Sequence, residues 1–358
     1  MNSVLLKASE AMRGARYQEA AEILQTPSHQ ECDARVSLLL AGAFEAQGDL
    51  SKAEQTLLQA HSKWPFNSSV AASLAREYMS RGQVKEAGGA LLHFSATPSS
   101  PLQEMEIGVV VFIANHQLIS AHQVAETAWK AYPSEQTALM LANTLQLQGR
   151  FKEVITLLGA QREVYGKSPA FLITLAESEY DSILYDAARD DLQRALAIDP
   201  ASYQAHYLLG NSLYKLGNVD QAIAEYRRSA ELNSNQARVH FQLALALQSK
   251  RDQAAAEQEL ERAIAVDGHF APALIDLAKI RISENRVSDA VAQLNVAVED
   301  NPRSEQAYFL LAKAYAQLGD KKKSDEMAKR LVTVRNSNWK GSGSQEGSQS
   351  GGDDHTIH

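Results

Sequence analysis

Residues 208–232 read LLGNSLYKLGNVDQAIAEYRRSAEL, and the apolar positions in this run follow a helical period, stop, and resume. Leu209, Leu213 and Leu216 keep three- and four-residue spacing, which puts them on one stripe of a helix. Gly217 and Asn218 come next. Both tolerate a left-handed backbone, so they predict a helix end and a turn. Ala222, Ile223 and Tyr226 then form the apolar stripe of a second helix. The predicted element is an antiparallel helix pair. Gly210 and Ala222 mark where its helices cross, because a larger side chain there overpacks the contact at a cost of about 1–3 kcal/mol.

The same pattern recurs. Steps of 34 residues from Gly210 and Ala222 meet Ala244 and Ala256, Ala278 and Ala290, then Ala312 and Ser324; the reverse step meets Ala176 and Ala188. A later small position repeats as Ala195, Ser229, Ala263 and Ala297, and a closing loop as Pro200, Ser234, Gly268 and Pro302. Towards the N-terminus the frame continues through Ala142 and Gly149, Ala75, Gly82 and Ala87, Ala41, Gly48 and Ala53, and Ala8, Tyr17 and Ala20. The stretch near 102–134 is the poorest copy. Ala121, Ala125, Ala128 and Pro133 fit, but Gly108 and Val109 stand where Leu and a small residue are expected. Unit starts near 1, 34, 68, 102, 135, 169, 203, 237, 271 and 305 predict ten units. One helix pair cannot bury both of its apolar faces, so stacking of neighbours completes the core.

A period of 34 with the order Leu-Gly, aromatic, Gly, Ala, aromatic, Ala, Pro resembles the tetratricopeptide repeat, and YLLGNSLYKLGNVDQAIAEYRRSAEL is similar to its consensus. The resemblance covers residues 1–335. It implies an all-α fold, an α-solenoid of stacked antiparallel helix pairs forming a right-handed superhelix, with first helices lining a concave groove. After Arg335 the pattern stops. Trp339 closes the last unit, and residues 336–358 read as a flexible Gly/Ser-rich tail, too poor in apolar residues to offset ordering entropy.

If first helices line the groove, the repeat frame gives its contact residues: Tyr207, Asn211, Tyr214, Lys215, Arg238, Phe241, Lys279 and Lys313, with Phe309 among them. Aromatic rings supply contact area at low entropic cost, and amide or basic groups hold peptide backbone and carboxylates. Tyr207 and Tyr214 carry two readings, ligand anchors or packing between repeats. The family's carboxylate clamp for chaperone C-termini needs Lys and Asn on one first helix, Asn on the next, then Lys with Arg. Here Asn211 is followed by Gln242, Pro272 and Asp276, and Tyr207 stands where the first Lys belongs, so no window completes the clamp. The N-terminal inner positions, among them Leu5, Met12, Leu38, Met79, Val110 and Ile113, are more apolar. They read as a surface for a partner helix or for self-association, or as residues that a tight superhelix covers itself.

Composition narrows the function. Net charge is −8, which argues against general binding to nucleic acid or an anionic membrane. No apolar run reaches the ~18 residues of a membrane span, so no membrane insertion is expected. The N-terminus MNSVLLKASEAMRG is not a signal peptide as written, which predicts a cytoplasmic protein, or a periplasmic or secreted one if a leader was removed. Cys32 is the single cysteine, so no intramolecular disulfide forms. No phosphate-binding Gly loop, His-Glu-x-x-His or paired-cysteine motif is present. His206 and His240, one period apart, invite a metal reading, but the position is a packing position that Leu274 and Tyr308 fill next. His355 and His358 lack preorganised partners. No catalytic site, cofactor or metal is expected. The sequence reads as a non-enzymatic interaction scaffold or adaptor that binds a peptide segment or partner helix in the groove. The alternative is a regulatory or assembly subunit of a bacterial enzyme, secretion or envelope complex.

Overall fold

The computed structural model describes residues 2–25 and 33–346, so Cys32, His355 and His358 lie outside the described residues. Among the described residues there are twenty-one helices and no strand. By contact density the chain divides into two compact units, Met1–Ser182 and Ile183–His358.

The first unit holds α1 (Asn2–Arg13), α2 (Tyr17–Leu24), α3 (Ala34–Gln47), α4 (Leu50–Lys63), α5 (Ser68–Ser80), α6 (Val84–Ala90), α7 (Leu102–Ala114), α8 (Leu118–Ala131), α9 (Glu135–Leu147), α10 (Phe151–Ala160), the short α11 (Arg162–Tyr165) and α12 (Pro169–Asp181). The second holds α13 (Tyr185–Ile198), α14 (Tyr203–Lys215), α15 (Val219–Leu232), α16 (Ala237–Ser249), α17 (Gln253–Val266), α18 (Ala271–Ser283), α19 (Val287–Asp300), α20 (Glu305–Gln317) and α21 (Lys321–Glu346). In both units successive helices pack against each other, as a solenoid of helix pairs requires. The last helix runs past 335 to Glu346, through the position of Trp339 and into the segment that composition assigns to the tail.

Local chemistry sets the ends of these helices. Ser168, Ser202 and Ser304 stand before first helices, and each side chain accepts the backbone N–H three residues on, at Phe171, Ala205 and Ala307. Inside each pair the chain reverses through one residue at positive φ. Gly217 takes this position at +80°, and Gly48, Gly82, Gly149 and Gly319 do the same elsewhere. Ile183, one period before Gly217, is forced to φ +66° although it is β-branched. Pro200 and Pro302 follow second helices that end at Ile198 and Asp300.

The crossing of α14 and α15 shows why Gly210 is small. A β-carbon on Gly210 would stand 2.6 Å from Cε1 of Tyr226, whose ring is 1% exposed. Ala222 is fully buried beside it on the same helix as Tyr226. The poorest sequence copy obeys the same rule. Gly108 lies 102 residues before Gly210, three periods of 34, and a β-carbon there would stand 2.9 Å from Cε1 of Phe94. So Gly108 is the small position that the sequence frame misplaced by one residue. Its covering ring comes from an unexpected place. Second helices such as α4, α8, α15, α17 and α19 have 14 residues, but α6 has 7 and gives way to the irregular stretch 91–100. Phe94 folds back from that stretch, and the first helices α5 and α7 touch each other directly.

Candidate functional site: the first-helix face of the second unit

The positions predicted to contact a ligand lie on α14, α16, α18 and α20, and the structure sorts them into two groups. Lys215, Arg238, Lys279 and Lys313 are exposed. Among the described residues no carboxylate forms an ion pair with Lys215, Arg238 or Lys313. Lys279 pairs with Asp276 on its own helix at 2.6 Å. The others are occupied by packing to different degrees. Asn211 is buried, and its Oδ1 accepts the Tyr226 hydroxyl at 2.9 Å. The Tyr207 ring is half-buried with its centroid 6.2 Å from that of Tyr226. Phe241 is half-buried and meets Phe270 edge-on at 5.5 Å. Tyr214 is half-buried. Phe309 is the outward member of this set, at 56% exposed.

Between α16 and α18 a hollow of 720 Å³ opens, lined by Leu245, Gln248, Asp276, Lys279, Ile280 and Ser283, with Arg251 and Gln253 at its end. Of these, only Lys279 is among the groove positions that the repeat frame gives. Leu245 could have been found one helical turn beyond Phe241, since neighbours on a face recur at three or four residues.

Charge divides between the two faces of this unit. The first helices α14, α16, α18 and α20 carry five basic residues, Lys215, Arg238, Lys279, Arg281 and Lys313, against two acidic ones, Asp276 and Glu305. The second helices α15, α17 and α19 carry three basic residues against nine acidic ones. Arg281 is largely buried and pairs with Glu257 and Glu261 of α17, so the exposed positive charge of the first-helix face rests on Lys215, Arg238, Lys279 and Lys313, in a chain whose net charge is −8. The last helix, α21, opens on Lys321, Lys322 and Lys323 and departs from the acidic rule.

His206 and His240 prove to be polar struts and not simple packing residues. His240 is buried; its Nδ1 pairs with Glu259 Oε2 at 2.7 Å, and its Nε2 faces the Ser234 carbonyl at 3.3 Å. Arg262 donates to the other Glu259 oxygen at 2.5 Å. His206 repeats the arrangement with Glu225 at 2.6 Å and the Pro200 carbonyl at 3.2 Å. Each strut ties a first helix to the second helix of its own pair. The spacing of His206 from His240 was visible in the sequence, but the matching spacing of Glu225 from Glu259 was the overlooked signal. Among the described residues no group of three or more His, Cys, Asp or Glu side chains could hold a metal ion.

In the first unit the apolar inner positions are mostly half-buried. Leu5, Met12, Leu38, Met79 and Ile113 are so, and Val110 is 55% exposed. No helix among the described residues is long and apolar enough to cross a membrane.

Stacked helix pairs, a small residue at each crossing and a left-handed residue at each internal turn define a helical-repeat solenoid. Models of the tetratricopeptide repeat match residues 5–68, 246–314 and 305–338, and a TPR repeat model matches 184–217 and 210–250. The matched segments together take in more than half of the 358 residues, and the chain belongs to the tetratricopeptide repeat family. Anaphase-promoting complex subunit 3 of Schizosaccharomyces pombe is 25% identical over 204 residues, 56% of this chain and 30% of that protein. BBSome complex member BBS4 of Bos taurus is 24% identical over 229 residues, 62% of this chain and 43% of that protein. The chain thus spans less than half the length of either relative. The solved structure of Pseudomonas aeruginosa pilF is similar in fold, with a TM-score of 0.51 at 15% identity, over 56% of this chain and 90% of that one.

Proposed function

We propose that this protein is a non-enzymatic scaffold that binds a peptide segment of a partner on the first-helix face of its second unit. The observation that carries the reading is Phe309. A large apolar side chain, 56% exposed, stands on a face rimmed by Lys215, Arg238 and Lys313, which form no ion pair among the described residues, and by Lys279, which pairs with Asp276. An exposed ring of this kind gains by burial against a partner, and the surrounding cations give orientation. Asn211 leaves the contact set, because its carbonyl oxygen already serves Tyr226. The contact residues of this proposal are Tyr207, Tyr214, Lys215, Arg238, Phe241, Lys279, Phe309 and Lys313.

The test is crosslinking with mass spectrometry on the purified chain and its captured partners. Crosslinks should fall on Lys215, Lys279 and Lys313, and the combined Arg238→Glu, Phe309→Ala, Lys313→Glu variant should lose the partner while keeping its helical circular dichroism. Crosslinks confined to the second helices would sink the proposal.

A second reading, an assembly subunit of a larger complex, is favoured by the two curated relatives, both named as members of multi-protein complexes. It is compatible with the first, since a subunit also holds its neighbours through such a face. Co-purification of a stable complex of fixed stoichiometry would separate it from a transient adaptor.

A further inference from the structure

We infer that the first-helix face of the second unit takes an acidic peptide in the polyproline II conformation, which advances three residues for each repeat it crosses. This rests on the proposal that the face binds peptide, and it adds the ligand's charge, backbone and period.

The period comes from the register of the apolar rungs. Tyr207, Phe241, Ile275 and Phe309 are spaced by 34 and stand at one level on α14, α16, α18 and α20. First helices pack directly in the pairs α14 with α16 and α18 with α20. Axes of packed helices lie about 8–10 Å apart, so within each of these two pairs the face offers apolar rungs at about that interval, and between α16 and α18 the hollow separates one pair of rungs from the next. A polyproline II chain has three residues per turn and rises about 3.1 Å per residue, so every third side chain returns to one side after about 9.3 Å. A β-strand returns to the same face after about 6.7 Å and an α-helix after about 5.4 Å, and neither keeps step with the rungs. The third rung, Ile275, is itself buried at 7% exposure. One turn further along, the 720 Å³ hollow over Leu245 and Ile280 leaves room for a larger ligand side chain.

The charge comes from what flanks the rungs. Arg238 lies one turn before Phe241, Lys279 one turn after Ile275, and Lys313 one turn after Phe309. A peptide with carboxylates between its apolar residues meets these cations and is repelled by the acidic second helices if it docks elsewhere.

The experiment is fluorescence anisotropy of the full chain with a labelled synthetic peptide of ~12 residues repeating Leu-Pro-Asp, long enough to cross a packed pair of first helices and reach beyond it. Comparators are rearrangements with Leu at every second or every fourth position, a Leu-Pro-Lys repeat, and oligothymidine. The Leu-Pro-Asp peptide should bind about tenfold tighter than the Lys peptide and about fivefold tighter than the respaced ones, and Phe309→Ala and Lys313→Glu should each weaken it by about fivefold. Equal binding of the respaced peptides, still weakened by Phe309→Ala, overturns the three-residue period and leaves the peptide-binding face standing. Binding of any peptide that ignores Arg238→Glu, Phe309→Ala and Lys313→Glu, or no peptide binding at all, overturns both. Displacement of the peptide by oligothymidine at equal concentration overturns the peptide as the ligand class.

Discussion

Tyr226 lies across Gly210, its Cε1 2.6 Å from where a β-carbon of residue 210 would stand. The ring is 1% exposed and has no open side to retreat to. Gly210→Ala gains up to about 1 kcal/mol of helix propensity but overpacks a closed site at about 1–3 kcal/mol, so overpacking wins. We expect a net loss of about 1 kcal/mol in urea unfolding. Tyr226→Leu should make room, so the loss should shrink in the double mutant; an unchanged cost in that background would show that the ring is not its cause.

Asn211 belongs to the same contact. Replacing it with Ala leaves the buried Tyr226 hydroxyl without its acceptor, which costs about 1–3 kcal/mol. Asn211→Ala should therefore lower stability measurably while Lys215→Ala does not. Equal effects of the two would contradict the buried assignment.

Ile183 holds a left-handed backbone at φ +66° where the next pair has Gly217. A left-handed L-residue costs about 1–2 kcal/mol, and the Ile183 side chain is 71% exposed, so little burial is lost on removing it. Ile183→Gly should raise stability by about 1 kcal/mol after the added chain entropy of glycine is counted. A lower unfolding midpoint would mean that the side chain contributes packing which its exposure hides.

The first unit should weaken on mild acidification. Burial lowers the pKa of His61 below the ordinary 6.5, and the neighbouring His93 lowers it further. Burial, then the charge of Arg150, lowers that of His122, whose Nε2 faces the Arg150 guanidinium at 3.2 Å. With both folded values depressed, the unfolded chain takes up protons first as pH falls through about 6.5, so stability drops there and levels off once the folded sites protonate too. Thermal melts between about pH 7 and pH 5 should show this slope, and His61→Gln with His122→Gln should flatten it. A slope unchanged by both substitutions assigns the acid sensitivity to other groups.

Glu259 should matter more than its place on a helix surface suggests. It receives His240 at 2.7 Å and Arg262 at 2.5 Å, and His240 is buried. Glu259→Ala strands the imidazole and should cost about 1–3 kcal/mol, while Glu299→Ala, at an exposed carboxylate of α19, should cost under about 0.5 kcal/mol. Equal costs would reduce the strut to an incidental contact.

The helix pairs could be read from the sequence because their markers are local. Gly217 and Pro200 act on their own backbone, so spacing alone places them. Long-range pairing was less legible. A small residue at 210 announces a crossing but not which ring covers it, and at Gly108 the ring comes from an irregular stretch that no repeat consensus contains. The same limit governs the binding face. Arg238 and Lys313 were legible because exposed charge follows helical register, whereas Asn211 looked available until Tyr226, fifteen residues away, was seen to hold it. The polarity of the two faces was written in the sequence but became apparent only when residues were sorted by helix.

The half-length α6 acts as a fuse in the array. Repeats melt together only as far as they share surface, because each draws its stability from the next. At 91–100 the second helix is broken, and the shared surface is made up from the short α6, Phe94, the direct α5–α7 contact and the Asn115 Nδ2 hydrogen bond to the Val84 carbonyl. An unfolding front that starts among α1–α5 loses its drive there, so those helices open as a group with a free energy of their own while α7 and α8 stay closed. Native-state hydrogen exchange should show that step as two protection levels within one compact unit, with the boundary at the broken second helix.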